Sequence, residues 1–416
     1  MTDTTLTSTG LEPRRTEAGA PLATLDDERT SDLGRRSFLR RTALLGATAL
    51  VAADAAVAYR AYDQGVMAEG TGSAFDAWTS WQDGAGAEAL VRAAVLAANG
   101  HNTQPWRFDV VDDRIDVSAD ISRSTGANDA ADRELYVSLG CAIENMMIAA
   151  PANGLQAELR LMPTAAASDA VASIALRTGM RMRSPLHAVI GERHSNRSEY
   201  RADPIAASLL AQLSELVDAS VSPARLVWLH DAPSRARFGE LIADATVAHI
   251  ADDEQSTASF AWWRSSWNEI QRHKDGLNID GVGLPPLTRT LGKLLPAPSR
   301  ASSDRTFLER TRIQVRSAAA FGVVVVADPT SRHDQLTGGR LLQRLHLSAT
   351  TKSLGFQHMN QITERIDRDH QLGRTSPFDA PLEALVGPGA LAAFRIGTPT
   401  VPSRRSPRRP ANEVIR

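Results

Sequence analysis

The chain has 416 residues and a formal net charge of -2, with 43% hydrophobic and 23% charged residues. That balance is ordinary for a soluble globular protein. It supplies no global basic field, so nucleic acid is not an expected partner. At about 150 residues per domain the length allows two to three units, and the single cysteine, Cys141, excludes an internal disulfide framework and a cysteine-only metal cage.

Residues 1–33 are polar, rich in Thr, Asp and Glu, and read as a disordered leader. In segment 34–58, Arg35-Arg36 is followed by Ser37, Phe38, Leu39 and Arg40, the twin-arginine export pattern. An apolar run from Thr42 to about Ala53 and an Ala56-Val57-Ala58 cleavage site complete the signal in the right order. The run is shorter than the roughly 20 residues of a spanning helix. The expected partner is therefore the twin-arginine export machinery, and the expected location the periplasm, cell envelope or exterior. An uncleaved signal would leave a membrane anchor. The plainer alternative is a basic amphipathic helix that stays in the cytosol. Because this route carries folded proteins, it raises the expectation of a bound cofactor.

Residues 59–83 read as a linker. A helix over 87–98 ends at Asn99-Gly100, and the loop His101–Pro105 leads into a hairpin of strands 106–111 and 114–118. A long helix covers 132–152, with Cys141 as a buried small hydrophobe. Strands follow near 157–162 and 171–177. A second half begins near Pro185, with helices over 204–218 and 235–250 around a strand at 225–230. Segment 256–300 breaks the pattern with Trp262, Trp263 and Trp267 and then a Gly- and Pro-rich stretch, and reads as an insertion. A helix over 307–320, a wholly apolar strand at 321–327, a helix over 338–353 and a last strand at 392–397 complete the half. The order is α+β without regular βαβ alternation. Both halves have similar outlines, although no residue string recurs.

The chain lacks a G-x-G-x-x-G after a strand, a P-loop, H-E-x-x-H, C-x-x-C and G-x-S-x-G. The ten histidines are scattered and no metal site is expected. Three constellations remain. Arg193, Ser195 and Arg197 form an R-x-S-x-R string whose guanidinium and hydroxyl groups can converge on one anion. Alone, such a string reads as a solvated basic loop. Asn102-Thr103-Gln104-Pro105-Trp106 places two amides before a strand, where they can bond the edge of a flat heterocycle. The tail carries Arg404, Arg405, Arg408 and Arg409 and ends in Val414 and Ile415, so its docking on the core is plausible.

Together these strings resemble the nitroreductase superfamily, over roughly residues 84–416. Its members carry R-x-S-x-R, N-x-Q-P-W and a basic R-P-x-x-E-V-V-like ending, here Arg408-Arg409-Pro410 with Glu413-Val414-Ile415. The order of the first two is inverted in this chain, and the chain is nearly twice as long. That resembles the Acg-type branch, in which two nitroreductase-like halves fuse into a pseudo-dimer. The resemblance implies a fold of central mixed or antiparallel sheets flanked by helices. Half one would span 84–184 and half two 185–416, with 256–300 as a lid. It implies a monomer holding one FMN, with NAD(P)H as possible donor. Arg193 and Arg409 would hold the phosphate, with Arg408 as alternate. Ser195 would bond phosphate or ribityl, and Arg197 would approach N1 and O2 of the ring. Asn102 and Gln104 would bond the ring, and Asn360 and Gln361 would lie near N5 and O4. No proton donor is named. The expected function is reduction of a small electrophile, nitroaromatic or quinone-like. The rival is a flavin-sequestering protein whose lid blocks nicotinamide.

Overall fold

The computed structural model describes residues 55–163, 170–218 and 224–416. The leader and the Arg35-Arg36 signal lie outside the described residues.

Strands β1 (Trp106–Val111) and β2 (Arg114–Ala119) form the expected hairpin. Val111 pairs with Arg114 across a two-residue loop in which Asp112 takes a left-handed φ of 49°. Strands β3 (Leu155–Leu161) and β4 (Ala170–Thr178) complete a sheet in the order β1-β2-β4-β3. The second sheet contains β5 (Arg225–Leu229), β6 (Ala320–Val325), β7 (Gly355–His358) and β8 (Ala390–Gly397), in the order β5-β6-β8-β7. All pairings within both sheets are antiparallel. Each sheet thus has the spatial order first, second, fourth, third. The repeat suggested by the outlines is a repeat of topology, not of residues.

Among the described residues beyond 63, the helices of seven or more residues are, in chain order, α1 (Gly86–Ala94), α2 (Arg133–Ala152), α3 (Ala207–Asp218), α4 (Ala232–Ala251), α5 (Asp253–Phe260) and α6 (Trp267–His273). They continue with α7 (Pro286–Leu294), α8 (Arg300–Arg316), α9 (Arg332–Thr351), α10 (Gln361–Gln371) and α11 (Asp379–Val386). In each half a 20-residue helix, α2 or α9, links the second and third strands. These two helices pack on each other where glycines remove the side chains. A Cβ on Gly140 would stand 2.2 Å from the Leu336 carbonyl, and one on Gly339 would stand 2.2 Å from that of Val137. Glu144 of α2, fully buried, is paired across the same contact with Arg340, at 2.9 Å, and Arg344 of α9. Helix α2 is long and apolar enough to cross a membrane, but 83% of its apolar window is buried within the protein, so it serves as a core helix.

One expectation changes. Segment 59–83 is not a free linker along its length, because Ala74, Phe75, Trp78 and Trp81 are buried in the first core. Between β7 and β8 lie α10 and α11, which no simple apolar period announced. The segment between β5 and β6 contains the expected insertion, but its caps are local and regular. Asp231 caps α4, Asp252 caps α5, and Ser266 with Glu269 forms a capping box on α6. After β8 the tail returns to the first sheet. Phe108 N donates to Val414 O and Arg416 N to Phe108 O, both at 2.9 Å, and Val414 joins the core. Residues 60–416 form one compact unit.

Candidate functional site

A cleft of about 630 Å³ opens where the repeated helices, the loop after α1 and the insertion meet. The start of α2 contributes Glu134, Ser138 and Cys141. The 193–197 loop contributes Ser195 and Arg197. The end of β7 and the start of α10 contribute His358, Asn360, Gln361 and Glu364. Segment 256–300 supplies an apolar wall that includes Phe260, Trp263, Leu277, Ile279 and Leu291.

Beside Ser195 in the chain lies a basic nest whose two arginines, Arg193 and Arg408, do not themselves line the cleft. Arg193 and Arg408 are each 2% exposed, and neither has a carboxylate partner among the described residues. Arg193 Nη2 donates to Leu96 O at 2.9 Å, and Arg408 Nη2 donates to the next carbonyl, Ala97 O, at 3.2 Å. The Nε of each lacks a partner, as does His194 Nδ1. Burial pushes Arg193 down to about 10, helped by Arg197. Burial and then Arg193 push Arg408 well below its ordinary value. Trp78 lies between Arg408, 4.9 Å from its ring centroid, and the His194 ring at 4.4 Å. Two desolvated cations without an anion carry a large cost, which a dianionic group would remove. The residues present therefore fit a phosphate.

The remaining predicted residues divide. Ser195, Arg197, Asn360 and Gln361 reach the cleft. Arg197 Nη1 also donates to Gly281 O of the insertion at 3.1 Å. Asn360 is committed, since its Oδ1 accepts from Ala393 N and its Nδ2 donates to Glu134 Oε1, both at 2.7 Å. Gln361 Oε1 has no partner. Asn102 and Gln104 are buried and do not line the cleft. Asn102 Nδ2 donates to Pro407 O at 2.9 Å, and its Oδ1 accepts from Arg408. Gln104 Nε2 donates to Lys274 O at 2.8 Å, and its Oε1 accepts from Arg409 N at 2.8 Å. Arg409 is bonded to the Gln104 and Trp106 carbonyls, so Arg408 is the one beside Arg193. The amides thus fasten insertion and tail to the loop. In that loop His101, Asn102 and Gln104 all hold left-handed φ of 48–56°. Such strain persists only where surrounding bonds over-determine the backbone.

No family model matches the chain. It is similar, at 24% identity over 186 residues, to proteins of Mycobacterium tuberculosis strains H37Rv and CDC 1551 provisionally named NAD(P)H nitroreductases. The match covers 44% of this chain and 53% of theirs, so the chain spans about half the length of those relatives. Among solved structures it is similar to an FMN-dependent nitroreductase from Mycobacterium smegmatis in complex with NADPH. That match has 14% identity, 56% of this chain, 97% of that chain and a TM-score of 0.32. A nitroreductase with bound FMN from Desulfitobacterium hafniense is similar at 15% identity, 56% and 98% coverage and a TM-score of 0.34.

Sequence spacing did not single out the histidines or acids that line the cleft, because they come from distant segments. His101 Nε2 lies 2.9 Å from Ser259 Oγ, and both ring nitrogens of His249 lack partners. Burial, then Arg197, pushes His101 down to about 4. Burial, then His101 and Arg365, pushes His249 to about 3. Burial, then Arg193 and Arg197, pushes His358 to about 3. His194 and His346 are lowered the same way.

Each of these imidazoles binds fewer protons folded than unfolded below pH 6.5, so stability falls as pH drops. Asp129, Glu134 and Glu364 act in the opposite sense, because burial raises their carboxyls. Five imidazoles outweigh three carboxyls below 6.5, and only the carboxyls titrate above it. The urea midpoint should therefore peak near pH 6.5 and fall toward both pH 4 and pH 8. A midpoint still rising between pH 6 and 4.5 would contradict this burial.

Proposed function

We propose that the protein is an FMN-dependent oxidoreductase of nitroreductase type, reducing a small nitroaromatic or quinone-like electrophile with NAD(P)H as donor. The observation that carries the reading is the pair of buried, anion-less arginines, Arg193 and Arg408, of which Arg193 lies two residues from Ser195, a cleft-lining residue like Arg197. A flavin phosphate carries about -1.5 to -2 charge at neutral pH, and guanidinium groups bind it through charge-assisted bonds. In this reading Arg193 and Arg408 hold the phosphate and the Ser195 hydroxyl adds a donor. Arg197 places positive charge beside the ring, which favours the reduced, anionic form. Bound FMN supplies two-electron transfer between nicotinamide and acceptor. Asn102, Gln104 and Arg409 hold the surrounding loop and tail in register, and Asn360 orients Glu134. The resemblance to the Acg-type branch and the repeated topology support a monomer that is its own pseudo-dimer. Export by the twin-arginine machinery is proposed on the sequence of residues 34–58.

The purified protein should be yellow, bleach on anaerobic addition of NADPH and recover its colour with a nitroarene or quinone. A colourless protein that takes up no added FMN would sink the reading. A second reading, flavin sequestration, rests on the apolar wall that 256–300 lays along the cleft. It predicts a yellow protein that NADPH does not bleach.

A further inference from the structure

Part of the cleft lining is polar, and several of its groups are short of partners. Glu134, in the first turn of α2, and Glu364, in the first turn of α10, both line it. The area these two side chains retain faces the cavity, which reconciles their partial exposure with a strongly desolvated surrounding. Asn360 holds one oxygen of Glu134 at 2.7 Å. Its amide orientation is set, because Ala393 N donates to its oxygen. The Glu364 carboxyl has no hydrogen bond or ion pair among the described residues. Two further side chains point to a ligand independently of the acids. Gln361, 7% exposed and one helical turn from Glu364, has an unpartnered Oε1. His249, 2% exposed, has two unpartnered ring nitrogens. Buried polar atoms left open on one cavity are atoms a ligand would satisfy.

We propose that this polar lining is the acceptor site for an uncharged oxygen electrophile, with Gln361 and His249 as its hydrogen-bonding walls and Glu364 as the acid that protonates it. Glu134, held by Asn360, is the positioning residue that keeps the proton on Glu364. This rests on the oxidoreductase reading above. The groups facing the two acids are Asp129, Arg133, Asp367 and Asn360. Burial first, then Asp129, pushes Glu134 up to about 8. Burial, then Glu134, Asp129 and Asp367, pushes Glu364 well above the carboxyl range. At neutral pH the pair therefore retains a proton, as like-charged carboxyls in one site must. A quinone takes a hydride equivalent, originating in the dihydronicotinamide, plus one proton from Glu364, and leaves as hydroquinone. A nitroarene takes the same hydride and proton and leaves as nitrosoarene and water. In either case Glu364 becomes a carboxylate and regains its proton from solvent.

The test uses the flavin-loaded full chain and two variants, Glu364→Gln and Glu134→Gln. At pH 7 the wild type should show the infrared carbonyl stretch of a neutral carboxylic acid, shifted in D2O, and E364Q should weaken it. In single turnovers E364Q should slow acceptor reduction by roughly 10²- to 10⁴-fold, the usual worth of a general acid. Reduction of its flavin by NADPH should slow far less, so that the loss falls on the acceptor half-reaction. E134Q should move the alkaline limb of the acceptor-rate profile to lower pH, a shift that a merely structural role would not produce. An undiminished band in E364Q, or wild-type acceptor rates in it, would overturn the proposal. A wild-type protein that retains no flavin would defeat the functional reading instead, and the infrared band would still decide whether Glu364 holds a proton. Quinone and nitroarene acceptors run in parallel separate the two substrate classes.

Discussion

On the proposed FMN-binding reading, replacing Arg193 by Met should weaken the binding of added FMN without unfolding the protein. The side chain is 2% exposed, its Nε has no partner, and it makes no ion pair among the described residues. Removing an uncompensated buried cation in favour of an apolar chain of similar length is neutral or stabilising to the empty protein. The same change removes charge-assisted bonds to the phosphate, each worth about 1.5–3 kcal/mol. At about 1.4 kcal/mol per tenfold, FMN affinity should fall roughly 10- to 150-fold. Arg408→Met should lose comparable affinity, and it should also loosen the tail, because Arg408 bonds the Asn102 side chain. Exposed Arg404, paired with Glu69 at 3.2 Å, serves as the control, and its change to Ala should leave FMN affinity unaltered. Equilibrium titration by flavin fluorescence, paired with urea unfolding of the empty protein, separates binding from stability. Wild-type affinity in Arg193→Met would remove the basic nest from the site.

The largest stability loss is expected at the contact between α2 and α9. Gly339→Val places a branched side chain against the Val137 backbone, where even a Cβ would stand 2.2 Å from the carbonyl. The obstacle is main chain within a packed helix, so no rotamer change relieves it. Overpacking of this kind costs about 1–3 kcal/mol and sometimes more, and here the upper end is expected, near 3 kcal/mol. The two helices also join the repeated halves and carry the Glu144 pairing with Arg340 and Arg344. A separation there should therefore widen the cleft whose wall Glu134, Ser138 and Cys141 form. Gly126→Ala is the contrasting change. Gly126 has a φ of 57° but open space around it, so the change introduces only backbone strain, costing about 1 kcal/mol. Urea midpoints for the two variants measure the difference, and equal midpoints would mean the helices do not approach as closely as described.

Much of the architecture was legible along the chain. The apolar run at β6 announced a strand buried on both faces, and all six of its residues are buried. Asp112-Asp113 between alternating strands announced the hairpin. Asn153-Gly154 announced the end of α2. The apolar ending Val414-Ile415 of a basic tail announced docking. Less of the site was legible. Asn102 and Gln104 have the residue types that bond a flat ring, yet both are spent on main-chain and tail partners. Arg408 and Arg409 are adjacent, so no local rule chooses between them. One faces Arg193 and the other turns to the β1 backbone.

By itself the sequence determined the local conformations, the α+β class and the stock of side chains able to grip an anion. Those follow from periodicity, caps and residue chemistry, which act over a few residues. The tertiary structure alone decided which of those side chains share a desolvated space. Arg193 and Arg408 are separated by more than half of the chain, and Glu134 and Glu364 by more than that. Only the packing of the two helical halves brings each pair together, and only burial turns ordinary arginines and glutamates into strongly perturbed ones.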